Sequence, residues 1–504
     1  MASGHLKVWR DLNKSKMKKL FVLLFLLPNF IFAQQQETDS LDAFISKQVK
    51  DYNIPGLAIG IIKDNQIVFE KGYGITSTID SFPVTTQTVF PIMSCTKAFT
   101  AAAMGILVDE GKINWNDMVI KYLLDFKLSD PWITKHLTIA DILSHRSGLE
   151  SYEGDLLWYG TSYSRQEIVK RMQYSPIRNN FRSDYGYNNV MYLVAGLIIE
   201  KVTGQTWDNF IKAKFFLPLS MHSSSTSITQ MIKEKSYAQP HLTNKPIPLM
   251  NLDNIAPAGS INSNIDDMLK WVQMWIDKGA YNGSQLLSEN SFKTITTEKI
   301  ILSNTSDEGY AFGWNVGFDN GKKVLAHGGG LPGYKSFITI IPDDKTAIVI
   351  LTNKLTYLNE ELIDVVMRYL NSKEINWKDV ESNLYGKNFH FSWEENDTDT
   401  SYKQVHVIPN FAVYKGLYDD KEYGKANIKE ENGKAILELL PSKKQFSGYL
   451  YYISPNKFKI AFNDKFVPTG YVVFKLDKNK KPIGFKLDID SGDFLFKYLD
   501  FKKE

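Results

Sequence analysis

The chain has 504 residues, 43% apolar and 13% aromatic, far more than a disordered chain carries and enough for a large core spread over two or three domains. Its 59 basic and 56 acidic residues leave a formal charge of +3, which argues against a dedicated nucleic-acid binder. A single cysteine, Cys95, excludes an intramolecular disulfide and any cysteine-cluster zinc or iron–sulfur site.

The run beginning at Met17 places two lysines before an apolar stretch, Leu20 to Phe32, which ends at Ala33 ahead of Gln34-Gln35-Gln36. A basic start, an apolar middle and a small final residue mark a secretory signal, and the stretch is shorter than the ~20 residues that span a bilayer. Cleavage is expected after Ala33; the alternative is an uncleaved anchor. No cysteine follows that site, so a periplasmic or extracellular chain with no stable membrane attachment is expected. Residues 1–16 read as an upstream extension. Residues 1–33 carry +5, so the rest carries −2.

From Leu41 to Leu370 strand-like and helix-like segments alternate. Gly56 to Ile62 and Gln66 to Gly72 predict a hairpin across Lys63-Asp64-Asn65. After Ser94, Phe99, Ala102, Ala103, Ile106 and Leu107 recur at helical spacing. Phe337 to Ile341 and Ala347 to Thr352 form a second apolar pair around Pro342-Asp343-Asp344, and Glu360 to Leu370 is again helical. Strands at both ends with helices between predict an α+β domain over residues 38–372, with one antiparallel sheet flanked by helices and a helical insert. Residues 373–412 read mostly as a polar linker.

Beyond it, residues 413–504 predict a small all-β barrel. Residues 410–504 hold 18 Phe or Tyr and no Trp. Strands are expected at Lys425 to Lys429, Ala435 to Leu440, Tyr449 to Ile453, Lys457 to Phe462, Tyr471 to Leu476, Gly484 to Ile489 and Asp493 to Asp500. This segment carries +5 and residues 34–409 carry −7, so opposite charge favours docking, unless the lysines simply face water.

Three motifs carry chemistry. In Ser94-Cys95-Thr96-Lys97 the three-residue spacing is nearly one helical turn, which brings the lysine amine to the serine hydroxyl. A serine needs a base to become a nucleophile, and Lys97 serves only where its surroundings favour the neutral amine. Tyr187-Asn188-Asn189 precedes an apolar run from Val190 to Ile199; Tyr187 is a candidate base or proton relay, and the Asn189 amide a partner for Lys97 and a substrate carbonyl. In His327-Gly328-Gly329-Gly330, consecutive glycines leave backbone amides open to a substrate. Each motif also has a bland reading: a helix cap, a core tyrosine, a glycine turn after a core histidine.

Taken in this order, the motifs resemble those of the serine β-lactamase and penicillin-binding-protein superfamily, in its class C β-lactamase-like branch. The resemblance covers roughly residues 40–370 and includes Leu143-Ser144-His145-Arg146-Ser147-Gly148-Leu149, Asp155-Leu156-Leu157-Trp158-Tyr159, Ala256-Pro257-Ala258-Gly259 and Phe312-Gly313-Trp314. The C-terminal segment resembles the lipocalin-like barrel appended to many such hydrolases. The resemblance implies an acyl-enzyme on Ser94, proton transfer by Lys97 and Tyr187, positioning by Asn189, and an oxyanion hole from the amides of Ser94 and Gly330. Water then deacylates the serine with Tyr187 as base, and neither cofactor nor metal is implied. His327 stands where the family carries the lysine of Lys-Thr-Gly, within reach of Tyr187 or the substrate.

That departure matters, because a mostly neutral histidine and the bare Gly328 grip a substrate carboxylate less well than lysine and threonine. A dedicated β-lactamase or carboxypeptidase is therefore disfavoured. Peptide or D-aminoacyl substrates come first, with an esterase, a weak β-lactamase or a penicillin-binding protein of negligible turnover as alternatives. Gly328, Gly329, Tyr152, Trp158 and Tyr159 are candidate substrate contacts, the aromatic three being explained almost as well by a packed loop. Cys95 reads as packing and His145 as a structural histidine. The barrel reads as a lid on the cleft or as a separate ligand binder.

Overall fold

The computed structural model describes residues 39–302, 308–372, 375–384 and 408–504. The expected signal, residues 1–33, and most of the expected linker lie outside these ranges.

One eight-stranded antiparallel sheet organises the larger domain. Its strands are β1 (Gly56–Lys63), β2 (Gln66–Gly74), β3 (Ile300–Ile301), β4 (Gly309–Tyr310), β5 (Asn315–Asp319), β6 (Lys322–Leu331), β7 (Tyr334–Ile341) and β8 (Thr346–Thr352). They lie in the order β2-β1-β8-β7-β6-β5-β4-β3, so the first hairpin is zipped against strands nearly 300 residues away. The hairpin turns at Asp64 and Asn65, both with positive φ, the type I′ geometry that matches strand twist.

Helices cover both faces: α1 (residues 39–51), α2 (Thr96–Asp109), α3 (Asn189–Thr203), α4 (Ile265–Ile276) and α5 (Leu358–Asn371). Alternation along the strands divides the core. Leu57, Ile59, Ile61, Ile348 and Ile350 pack with α1 and α5, while Ala58, Ala347, Val349 and Leu351 join the cluster holding α2, α3 and α4. Burial on both faces is why β1 and β8 read as unbroken apolar runs. Gly60 lets α4 approach: a Cβ there would fall 2.7 Å from Ile265. α2 and α3 are apolar all round because they lie inside the insert, and Phe99 of α2 stacks on Trp271 of α4 at 3.5 Å.

The second unit is a closed barrel of β9 (Gly416–Asp420), β10 (Gly424–Glu431), β11 (Lys434–Leu439), β12 (Ser447–Ser454), β13 (Lys457–Phe462), β14 (Gly470–Leu476), β15 (Pro482–Asp488) and β16 (Asp500–Lys503). Rings fill its interior: Phe474 sits 5.3 Å from Phe458 and 5.7 Å from Phe485, which is 5.0 Å from Tyr418. The sequence reading missed β9 and placed a strand at Asp493 to Asp500. That segment is instead a loop with a 3-10 turn at Phe496–Tyr498. The alternation has another source, because Phe494 packs on Tyr159 of the larger domain, ring centroids 4.5 Å apart. The linker reading also needs correction, since Trp377–Ser382 is helical and Trp377 packs 4.8 Å from Phe44.

The two units dock through specific contacts. Tyr159 donates to Asp464 at 2.8 Å, Ser442 donates to the Tyr159 carbonyl at 2.9 Å, and Ser175 donates to Glu422 at 2.8 Å. The Arg178 guanidinium lies 3.2 Å from the ring centre of Tyr498. This cation comes from the larger domain, the reverse of what net charge suggests. Barrel lysines such as Lys429 and Lys443 pair within the barrel, both with Glu438.

Candidate active site

Ser94 sits in a 3-10 turn, Met93–Cys95, that leads into α2. Met93 holds φ +44, a conformation L-residues rarely adopt and one found at sites where backbone is constrained for function. Lys97 follows within one turn and is 0% exposed. Its Nζ donates to Asn189 Oδ1 at 2.7 Å and to the Ala258 carbonyl at 3.0 Å, and lies 3.1 Å from Ser94 Oγ. Burial pushes the Lys97 pKa down to about 7, opposed in part by the charge of Asp155.

Asn189 begins α3, whose N-terminus is capped by Asn188. Its Nδ2 donates to Asp155 Oδ2 at 2.8 Å, which turns Oδ1 toward Lys97. Asp155 Oδ1 accepts from Trp158 Nε1 at 2.9 Å, and burial lifts its carboxyl to about 7. A continuous chain thus runs from Ser94 through Lys97, Asn189 and Asp155 to Trp158.

Tyr187 lines the cleft together with Ser94, and burial pushes its pKa well above the ordinary phenol range, so it rests as a neutral phenol. Lys97 Nζ stands 4.7 Å from its ring centre. His145, fully buried, lies 4.5 Å from the Tyr187 ring and accepts from the Asn188 amide at 3.0 Å.

His327-Gly328-Gly329-Gly330 lie within β6 and not in a turn. His327 Nδ1 lies 2.7 Å from the Gly328 carbonyl, which can only accept, so this nitrogen carries the proton. Nε2 therefore accepts from the Tyr310 hydroxyl at 3.0 Å. Burial lowers the His327 pKa to about 3, and its ring centre is 6.4 Å from that of Tyr187. A Cβ on Gly329 would fall 2.9 Å from the Ser94 amide nitrogen and 2.6 Å from the Ile92 carbonyl, so only glycine lets this strand lie against the nucleophile's turn. Cys95 Sγ contacts the His327 carbonyl and Ser336 Oγ, both at 3.3 Å, and burial pushes its thiol up to about 12.

Ser94, Asp155, Tyr187, Asn189 and His327 line one cleft of about 660 Å³. Gly328, Gly329, Gly330, Tyr152, Trp158 and Tyr159 line it too, and Tyr159 also anchors the barrel. β5 pairs with β6 only as far as Ala326, so His327 to Leu331 has no strand partner on that side among the described residues. The sequence reading did not single out Asp155, Tyr310 or the barrel residues Phe466, Asp493 and Phe494. Asp155 stood in a quoted stretch, and Ser491-Gly492 marked the turn that delivers Asp493. Among the described residues, no three His, Cys, Asp or Glu gather as metal ligands.

The chain matches the family described as Beta-lactamase over residues 41–366. It is 32% identical to an unguisins hydrolase of Aspergillus campestris over 370 residues, 67% of this chain and 68% of that protein. A second unguisins hydrolase, of Aspergillus violaceofuscus, is 29% identical across 64% of this chain, which spans 63% of that relative's length. Among solved structures, the octameric penicillin-binding protein homologue from Pyrococcus abyssi superposes with a TM-score of 0.60 over 92% of this chain and 100% of that one, at 22% identity, a likeness of fold. The chain belongs to the beta-lactamase family.

Proposed function

We propose that this protein is an exported serine hydrolase that cleaves amide or ester bonds through an acyl intermediate on Ser94, with peptide or aminoacyl substrates first. The observation that carries this is the setting of Lys97. Its two carbonyl partners, Asn189 Oδ1 and Ala258 O, can only accept, so a neutral amine gives them both its hydrogens. The lone pair that remains faces Ser94 Oγ at 3.1 Å, where the hydroxyl proton leaves.

In the proposed sequence Ser94 Oγ attacks the substrate carbonyl as its proton passes to Lys97. The amides of Ser94 and Gly330, both lining the cleft, receive the oxyanion. Tyr187, which lines the cleft with Ser94, relays the proton to the leaving nitrogen or oxygen. Water entering that place loses a proton to the Tyr187–Lys97 pair, and Ser94 recovers one as the acid departs. The open edge of β6 supports a peptide, whose backbone pairs there as an added strand. The names of the two Aspergillus relatives support hydrolysis.

Ser94→Ala is expected to abolish labelling by a fluorophosphonate or a fluorescent penicillin. Labelling that persists at another residue refutes the assignment. A burst of one acyl group per chain with no steady release indicates a capture protein instead.

A further inference from the structure

The cleft is completed by the barrel, and what the barrel contributes is an acid. Ser491, Gly492, Asp493 and Phe494 all line the same cavity as Ser94 and Tyr187. Phe494, buried on Tyr159, holds this loop in place. Asp493 beside it is half-buried, and it has neither a hydrogen-bond nor an ion-pair partner among the described residues. Burial raises its carboxyl above the ordinary range, and its charge is felt across the cleft at Tyr152, Asp155 and Tyr159.

Among the described residues that line the cleft, no positive group answers it. Lys97 is the amine of the reaction chemistry, and Lys335 is paired with Glu360. His327, where a cation is carried in relatives with a third-motif lysine, is neutral with both ring nitrogens engaged. A carboxylate partly withdrawn from water without a counter-ion is costly until a cation arrives. The lining suits one, because it includes Tyr152, Trp158, Tyr357 and Phe466, and aromatic rings attract ammonium groups.

We infer that Asp493, supplied by the barrel, receives a primary ammonium of the substrate, which makes this cleft selective for amides and esters of residues with a free N-terminus. This rests on the serine-hydrolase reading and names its substrate class. Peptide direction places the charge: a main-chain terminus near the scissile carbonyl is an ammonium on the acyl side and a carboxylate on the leaving side. An anionic subsite therefore selects the acyl side, and only one residue or so separates the ammonium from the bond. The barrel then acts as a specificity wall whose Asp493 reads the substrate's end.

The test compares the full-length enzyme with its Asp493→Asn and Asp493→Glu variants on alanine p-nitroanilide and N-acetylalanine p-nitroanilide, in both enantiomers. Active fractions are normalised by fluorophosphonate titration. Wild type is expected to favour the free amine in kcat/KM by roughly 10- to 100-fold, the range of a charge-assisted hydrogen bond. Asp493→Asn is expected to bring that ratio toward one, mainly through KM, and Asp493→Glu to keep it well above one. A wild-type enzyme indifferent to the amine, in turnover or in competition with the label, overturns the subsite, as does a ratio that survives in Asp493→Asn. Absence of labelling at Ser94 overturns the serine-hydrolase reading instead, so the two failures are distinct.

Discussion

Replacing Lys97 with methionine reads out the buried amine directly. Methionine keeps an unbranched apolar stem and carries no proton to titrate. In the folded chain burial holds Lys97 at about 7, whereas the ordinary amine value of 10.5 applies when the chain unfolds. Between those two values the unfolded state carries a proton at this residue that the folded state lacks. Stability therefore rises with pH by about 1.4 kcal/mol per unit over this window, roughly 4 to 5 kcal/mol in all, and the full penalty is present below the folded value. Asp155, raised to about 7, acts in the opposite sense but between the ordinary carboxyl value of 3.8 and its folded value, so measurements at pH 8 to 10 lie above it. Without the neighbouring amine Asp155 rises further, which only flattens or reverses the variant's slope. The assay is urea unfolding followed by tryptophan fluorescence, which reports the larger domain because residues 410–504 contain no tryptophan. Absolute stabilities are not the readout, since Asn189 Oδ1 and the Ala258 carbonyl lose a donor in the variant. The expected result is a wild-type stability that climbs relative to Lys97→Met by about 1.4 kcal/mol per pH unit. Parallel curves for the two proteins refute a neutral buried lysine, and with it the role of Lys97 as base.

Tyr187→Phe is expected to lower kcat at least ~100-fold, the usual loss when a positioned proton relay is removed, while a near wild-type rate takes Tyr187 out of the mechanism. Gly329→Ala places a methyl 2.5 Å from Ser336 Oγ and within 3 Å of two backbone atoms, the Ile92 carbonyl and the Ser94 nitrogen. It is expected to cost about 1–3 kcal/mol in thermal or urea unfolding and ~10-fold or more in kcat, because the nucleophile's own turn has to move. An alanine variant with native stability and rate contradicts the close packing of β6 on that turn.

How much of the site was legible depends on how local each relation is. Ser94 and Lys97 lie on one helical turn, so their contact follows from spacing alone. Tyr187 and Asn189 straddle the start of α3, and an amide followed by an apolar helical run signals a buried polar side chain that needs a partner. Asp155 lacks any such local mark. Its importance arises because Asn189 has to be oriented, and the group that orients it lies 34 residues away across the insert. The same holds for His327: its motif is visible, but the commitment of its nitrogens to Tyr310 and Gly328 depends on β4 and β6 reaching the same place in the fold.

The fold misreading and the missed specificity group share a cause. Residues 494 to 498 carry a ring at every second position, Phe494, Phe496 and Tyr498, which mimics a strand, yet Phe494 belongs to the interface with Tyr159 and Phe496 to the barrel's own ring cluster around Phe446 and Phe462. A period of two records which side chains are buried and says nothing of what buries them. Here two partners in two units bury successive rings, so the backbone between them is free to leave the ladder and bring Asp493 into the cleft. Local pattern and tertiary role disagree at the segment where one domain reaches into the other's active site, as expected where a chain gives up regularity for function. The charge balance makes the same point. The barrel's +5 is the surplus left beside pairs such as those on Glu438, while the group that reaches the cleft carries the opposite sign.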